Sequence, residues 1–298
     1  MNCKDYYITR GKQMALGDRK DGKLLRDLDA MHLMMPCIFP SRCDNEAFVS
    51  ETIDLTELDK FLEEKNSTNP EYAYKLFQVI VSAILKTIIL RPKMNRFIAN
   101  KNFYQRTEYS ASFVIKKQFT DSSEEGIAVI RATENDNLDS IRDKMYKKIM
   151  PCKRSEVSGG TEGAMNIIKK LPRFLMKFLY WTFYKLDEHG LVPDSLLSDD
   201  PYHASVILSN LGSIKLHSGY HHLTNWGTTS VFVVVGEKKK RPFYNEDGSF
   251  EMRESVDIGM TVDERIADGY YFAKTIKMLK GFIENPRELE EAFGGGNN

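Results

Sequence analysis

Hydrophobic and polar residues along the 298-residue chain follow two periods, one typical of strands and one typical of amphipathic helices. Alternating polarity over 47–53 predicts a strand, and a short helix is expected after it, through Leu58 and Phe61. Apolar residues at helical spacing predict a longer helix over 71–90, which Arg91-Pro92 ends. The same reasoning predicts a hairpin of strands 110–119 and 126–132, helices over 138–149, 164–186 and 268–284, and strands over 203–208, 230–235 and 256–262.

Helices and strands are mingled along the chain without a regular strand-helix-strand alternation. This order predicts an α+β fold with one mixed sheet. Residues 1–30 are charged and aperiodic, so we expect an N-terminal arm that packs on another part of the protein. Residues 31–290 are expected to form one domain, and 291–298 a disordered tail.

The charge balance sets limits on the partners. Lys plus Arg and Asp plus Glu both number 42, so the formal net charge is zero and binding to nucleic acid is not expected. The longest apolar run, near 79–90, includes Lys86 and falls short of the roughly 20 residues that a membrane-spanning helix needs. The first residues do not resemble a signal peptide, so a cytoplasmic protein is expected.

The cysteines give no sign of a metal site or a disulfide framework. Cys3, Cys37, Cys43 and Cys152 form no CxxC pair, and no histidines stand at zinc-finger spacing from them. Four thiols without partners fit a reducing compartment. We therefore expect no bound metal and no bound cofactor.

Residues 263–269 read DERIADG, immediately before the last predicted helix. This string resembles the D-H-R-x-x-D-G of the acyltransferase catalytic domain of 2-oxo acid dehydrogenase complexes, a family related to chloramphenicol acetyltransferase. Four further pieces match in order: IDLT at 53–56, PKMN at 92–95, SNLG at 209–212 and GEKKKRP at 236–242. The resemblance implies a two-layer sandwich, with a mixed sheet and helices on one face, that assembles as a homotrimer. It also implies acyl transfer between CoA and a thiol at the subunit interface.

Glu264 stands where the resembled family has its catalytic histidine, which acts as the general base on the thiol. A carboxylate suits this task poorly. The reference pKa values of about 4.3 for Glu and 8.5 for a thiol make proton transfer uphill by about 5 to 6 kcal/mol. Apolar burial raises the pKa of a glutamate by several units. Two interpretations thus stay open: Glu264 as a base, or as a residue of a site that has lost its activity.

The resemblance implies roles for two more residues. Ser209 corresponds to the hydroxyl that binds the oxyanion in a neighbouring subunit, although a serine in a turn is the alternative. Asp268 corresponds to an aspartate that forms an internal ion pair and maintains the site. Its place before a glycine and an apolar helix also predicts a helix N-cap.

Three segments have two interpretations each. His221-His222 is either a loop or a second source of a base, and the basic run 238–241 is either a solvated hairpin or a contact for a CoA phosphate. The stretch 164–186 combines apolar and aromatic residues with lysines. It predicts packing in the core or between subunits, with a membrane surface or another partner as the alternative.

Two hypotheses of function follow. The first is a CoA-dependent acyltransferase that is weakly active or inactive because of Glu264, with CoA or acyl-CoA as a substrate and an acceptor that the sequence does not identify. The second is a non-catalytic trimeric binding or scaffold protein. No segment of about 80 residues is available for a lipoyl domain, so we do not expect a complete core of a dehydrogenase complex.

Overall fold

The computed structural model describes residues 15–116, 125–153, 171–197 and 200–295. Its larger sheet has six strands in the order β2-β9-β8-β7-β5-β6, and only the β7–β8 and β5–β7 pairs are parallel. A smaller sheet has the order β1-β4-β3. The strands are β1 (Gly22–Leu24), β2 (Glu46–Asp54), β3 (Arg96–Ala99), β4 (Asn102–Arg106), β5 (Tyr109–Lys116), β6 (Glu125–Ala132), β7 (Val206–Asn210), β8 (Val231–Tyr244) and β9 (Phe250–Asp263).

Helices cover one face of the large sheet. The helices are α1 (Ala30–Ile38), α2 (Thr56–Ser67), α3 (Leu76–Leu90), α4 (Leu138–Lys153), α5 (Arg173–Glu188), α6 (Asp194–Leu197) and α7 (Gly269–Glu284). The main core lies between α3, α4, α7 and alternate residues of the strands, such as Val233, Ile258 and Met260. This architecture confirms the predicted α+β sandwich with a mixed sheet and helices on one face.

A chain segment, 211–229, crosses the opposite face of the sheet. Gly259 and Gly236 allow it to approach closely: a Cβ on Gly259 would lie 2.1 Å from the carbonyl oxygen of Gly219, and one on Gly236 would lie 2.5 Å from the backbone nitrogen of Ser218. Leu223 packs from this segment onto a smaller apolar cluster that includes Phe232. On this face of the sheet the crossing segment takes the place that a second layer of helices would occupy.

Several element boundaries differ from the sequence-based predictions. Helix α3 begins at Leu76 rather than at residue 71, because the Asn66 side chain accepts a hydrogen bond from the Tyr74 backbone N–H at 2.8 Å and holds that stretch out of the helix. The strand predicted over 203–208 begins at Val206, since Asp200 caps a short 3₁₀ turn that ends at His203. Strand β8 continues through the basic run to Tyr244, where its polar residues pair with those of β9.

The two ends of the described chain pack against the domain. In the arm, β1 pairs with β4, and Arg19 is buried. In the segment expected to be a disordered tail, Phe293 is fully buried and its backbone N–H donates to the Asp136 carbonyl at 2.8 Å. Residues 1–14 and 296–298, and with them Cys3, lie outside the described residues, as do 164–170 of the predicted apolar helix.

Candidate functional site

A buried ion pair shapes the turn that follows β9. The Asp263 carboxylate accepts hydrogen bonds from Nε and Nη2 of Arg265, both at 2.7 Å, and both residues are almost completely buried. Arg265 also donates through Nη1 to the Phe39 carbonyl at 2.7 Å. Because Asp263 and Arg265 are both buried and hydrogen-bonded, they hold the turn in place.

A second arginine, Arg42, joins this turn to the crossing segment. Its Nη1 donates to the carbonyls of Thr224 and Gly227, at 2.7 and 3.0 Å, and its Nε lies 3.7 Å from the Asp263 carboxylate. Burial lowers the pKa of Arg42, and the Asp263 carboxylate acts in the opposite direction. No periodicity in the sequence marks Arg42, because its partners lie far away along the chain.

Glu264 stands on this rigid turn, directly after the last residue of β9. Its backbone N–H donates to the Asn45 carbonyl at 3.0 Å, and its side chain is exposed. Within the described residues the Glu264 carboxylate forms no hydrogen bond or ion pair. The backbone of the site is therefore fixed, while the carboxylate points to solvent in the single chain.

The predicted helix N-cap at Asp268 is confirmed. Its carboxylate accepts a hydrogen bond from the Tyr271 backbone N–H at 2.8 Å and so caps α7, and this bond is the main reason why the pKa of Asp268 is lowered. Asp268 also forms an ion pair within the chain, with Lys93 Nζ at 3.8 Å, but its side chain is 58% exposed, so this pair lies at the surface. The buried pair of this turn belongs to Asp263.

Ser209 lies near the end of β7 and is half-buried. Ser209 pairs with Val234 of β8, and Val234 pairs with Gly259 of β9. Gly259 lies five residues before Glu264 in the sequence. Two strand spacings of about 4.8 Å and five residues of about 3.3 Å place Ser209 roughly 19 Å from Glu264. A single chain therefore does not bring Ser209 together with Glu264 and Asp268.

The histidine pair lies in the crossing segment on the face opposite the helices. Nδ1 of His221 is 2.9 Å from the His222 carbonyl, and Nδ1 of His222 is 3.0 Å from the Leu223 carbonyl. Since a carbonyl only accepts, each Nδ1 is the donor and each Nε2 keeps its lone pair in the neutral ring. The His221 ring stacks on Phe232 at 4.3 Å. No group of three or more His, Cys, Asp or Glu residues suited to a metal occurs in the described part of the chain.

The basic run lies on the β8–β9 hairpin, and carboxylates neutralise part of its charge. Lys238 Nζ is 2.7 Å from Asp59, and Arg241 pairs with Asp257. These ion pairs favour the interpretation of the run as a hairpin at the surface.

A groove of about 750 Å³ runs between β2, at the edge of the sheet, and α7. Gly269 and Ala47 line its end near Glu264, and apolar side chains such as Phe272 and Ile276 form its wall. Glu51, Lys277, Lys280 and Glu284 line it further along. Its volume is in the range typical of small-molecule sites.

His203 forms a buried charged cluster that the sequence did not indicate. Its Nε2 is 3.0 Å from the Asp187 carboxylate and its Nδ1 is 3.1 Å from that of Asp200, which also accepts from Trp226 Nε1 at 2.9 Å. Burial alone would lower the pKa of His203, but the bonds to the two carboxylates outweigh burial and raise it. The two carboxylates therefore favour the protonated form of the ring.

Several solved structures with a similar fold are acyltransferases. A probable dihydrolipoamide acetyltransferase from Listeria monocytogenes superposes with a TM-score of 0.59 at 14% identity, covering 91% of this chain and 96% of the other. The dihydrolipoamide acetyltransferase of Azotobacter vinelandii superposes with 0.60 at 14% identity, covering 95% and 96%. A chloramphenicol acetyltransferase gives 0.52 at 11% identity, covering 88% and 99%. The chain thus has the fold of these acyltransferase cores.

The family match by sequence covers a shorter part of the chain than the structural superpositions do. The family model for the 2-oxoacid dehydrogenases acyltransferase (catalytic domain) matches residues 194–290, which include β7, β8, β9, Glu264 and α7. No curated protein matches the chain in sequence. The resemblance predicted from the motifs is confirmed, and the matched segment contains Ser209, Glu264 and Asp268.

Proposed function

We propose that the protein is a homotrimer of acyltransferase fold that binds a CoA thioester between subunits and transfers the acyl group weakly or not at all. The fold and the family match over 194–290 support the acyltransferase class. In the Azotobacter enzyme, a serine, a histidine and an asparagine have been investigated for their role in the catalytic mechanism. Ser209, Glu264 and Asp268 are the residues of this chain that we propose to correspond to them.

One observation carries the proposal: Glu264 is presented on a turn that the buried Asp263–Arg265 pair holds in place. This turn fits a site that keeps its backbone geometry but has Glu264 where the resembled family has its catalytic histidine. The carboxylate is exposed in the single chain. For a glutamate and a thiol at their reference pKa values, proton transfer is uphill by about 5 to 6 kcal/mol, which is the general reason why a carboxylate replaces the imidazole poorly.

The test is acetyl transfer from acetyl-CoA to a small thiol by wild type, Glu264→His and Glu264→Gln. Restoring an imidazole is expected to raise the rate about 10² to 10⁴-fold, the usual contribution of general-base catalysis, while Glu264→Gln stays at the wild-type level. If wild type is active and both substitutions abolish that activity, the carboxylate is itself the base and the proposal is wrong.

The second candidate is a non-catalytic trimeric scaffold, which the exposed carboxylate of Glu264 also fits. Titration calorimetry with CoA separates the two functions. Binding by wild type supports a CoA site, whereas a trimer that binds no CoA and gains no activity with Glu264→His is a scaffold.

A further inference from the structure

Helix α5 presents a stripe of aromatic side chains to solvent. Phe174, Phe178 and Trp181 are 74%, 58% and 56% exposed. Their i, i+4, i+7 spacing places them on one face of the helix, and the rings of Phe178 and Trp181 stack at 6.2 Å. We call these three residues the aromatic stripe. Large side chains exposed together on one face usually mark an interaction surface.

The rest of α5 explains why the stripe faces away from the protein. Leu175, Leu179 and Leu186 are half-buried on another side of the helix, and Asp187 is its one buried residue. Asp187 binds His203, and its carbonyl accepts a hydrogen bond from Arg19. The sequence-based expectation was packing in the core or between subunits. Packing in the core is wrong, because the body of the chain covers only one side of the helix, and packing between subunits stays a prediction.

Basic residues flank the stripe along the chain. The sequence from 164 to 186 contains five basic residues and no acidic one, although the whole chain has zero net charge. Arg173 and Lys177 are exposed within a few residues of the stripe, and Lys185 pairs with Glu188 at 2.6 Å. Exposed aromatic rings flanked by Lys and Arg are the pattern of a helix that lies in the interface of an anionic bilayer.

We propose that the aromatic stripe docks on an anionic lipid surface, with Phe174, Phe178 and Trp181 entering the headgroup region and Arg173 and Lys177 meeting lipid phosphates. The charge favours a lipid surface over a second copy of α5, because two such helices would bring basic residues against basic residues. No helix in the described ranges is long and apolar enough to cross a bilayer, so the protein would bind at the surface.

The experiment is sedimentation with vesicles of phosphatidylcholine, with and without phosphatidylserine. Wild type is expected to bind the anionic vesicles and to lose binding as salt is raised. Bromine-labelled lipid should quench the fluorescence of Trp181, and most of the quenching should be lost in Trp181→Phe, in which the half-buried Trp226, bonded to Asp200, is the remaining tryptophan. No binding to anionic vesicles would overturn the proposal.

Two double variants separate the stripe from other exposed aromatic residues. Phe174→Ser with Phe178→Ser should weaken binding about tenfold or more, and Lys177→Glu should weaken it further. Tyr244→Ser with Phe250→Ser is the matched control, because these rings are 74% and 57% exposed on the β8–β9 hairpin. Equal loss in both double variants contradicts the proposal. A smaller assembly for the stripe variant in light scattering would identify a second copy as the occupant instead.

Discussion

Two aspartates five residues apart show how the surroundings of a side chain decide its role. Asp263 is completely buried between Arg265 and Arg42, whereas Asp268 lies at the surface and caps α7. A buried carboxylate compensates the charges of the guanidinium groups beside it, and its loss leaves those charges without a partner. A capping carboxylate satisfies a single backbone N–H, and water replaces it readily.

Asp263→Asn should therefore destabilise the protein strongly. The change keeps the shape of the side chain but leaves Arg265 buried without its carboxylate, and breaking a buried pair costs about 3 to 5 kcal/mol. Unfolding in urea measures the free energy. Asp268→Ala is the matched control and should lower the melting temperature by only roughly 2 to 4 °C, as expected for a lost cap. Equal effects of the two substitutions would show that the buried pair does not stabilise the turn.

At this scale the sequence indicated which residues belong to the turn and did not indicate their surroundings. The string 263–269 pointed to Glu264 and Asp268 through a resemblance. Asp268 pairs with Lys93 at the surface and Asp263 pairs with Arg265 in the interior, and only the tertiary structure separates the exposed aspartate from the buried one. Arg42 contacts residues more than 180 positions away, a distance over which periodicity carries no information.

At the scale of elements, His203 connects parts of the chain that share few other contacts. It joins the end of α5, through Asp187, to the 3₁₀ turn before β7, through Asp200. Asp187 also binds Arg19, whose Nε donates to Asp21 at 2.8 Å, so the N-terminal arm is held in the same cluster. Arg106 Nη1 donates to the His203 carbonyl at 2.7 Å. The His203 cluster thus holds a helix, a turn and the arm together.

Stability should depend on pH through this group. The pKa of His203 is raised above its ordinary value in the folded protein, so folding is accompanied by proton uptake. Its contribution is fully present below the unfolded pKa of about 6.5 and is lost as the pH rises through the higher folded pKa. The difference in unfolding free energy between wild type and His203→Gln should shrink as the pH rises from below about 6.5 into the alkaline range.

Urea unfolding of both proteins across that range measures the effect. His189→Gln is the control, because His189 is exposed at the end of α5. A difference between wild type and His203→Gln that stays constant with pH would show that the imidazolium is not the group that holds the cluster.

The elements with long apolar periods were predictable, and those set by single polar contacts were not. The hairpin of β5 and β6 and the helices α4 and α7 follow their patterns closely. The start of α3 and the turn at 201–203 depend on single hydrogen bonds that the side chains of Asn66 and Asp200 accept from the backbone. Single hydrogen bonds leave no periodic pattern in the sequence. The outer part of β8 carries charged residues on both its exposed and its half-buried face, so its sequence lacks the alternation of polarity that marks a strand.

At the scale of the whole molecule, the distance between Ser209 and Glu264 is the central fact. Roughly 19 Å separates the two positions within one chain, which is too far for one acyl group to contact both. If both belong to one site, the site needs a second subunit. Such an interface is heterologous, since Ser209 of one chain meets Glu264 of the next, and a closed ring of three chains satisfies every copy.

Mixed trimers test this arrangement. Wild type has Ser209 without an imidazole, and the double variant Ser209→Ala with Glu264→His has an imidazole without the hydroxyl, so each alone should transfer acetyl groups slowly. When the two chains are co-expressed with different tags and purified through both, some interfaces combine the wild-type hydroxyl with the introduced imidazole. Acetyl transfer from acetyl-CoA should then exceed the sum of the separate proteins, because general-base and oxyanion contributions meet in one site. If Ser209 and residue 264 instead acted within one chain, no chain of the mixture would hold both groups, and the rate would equal that sum.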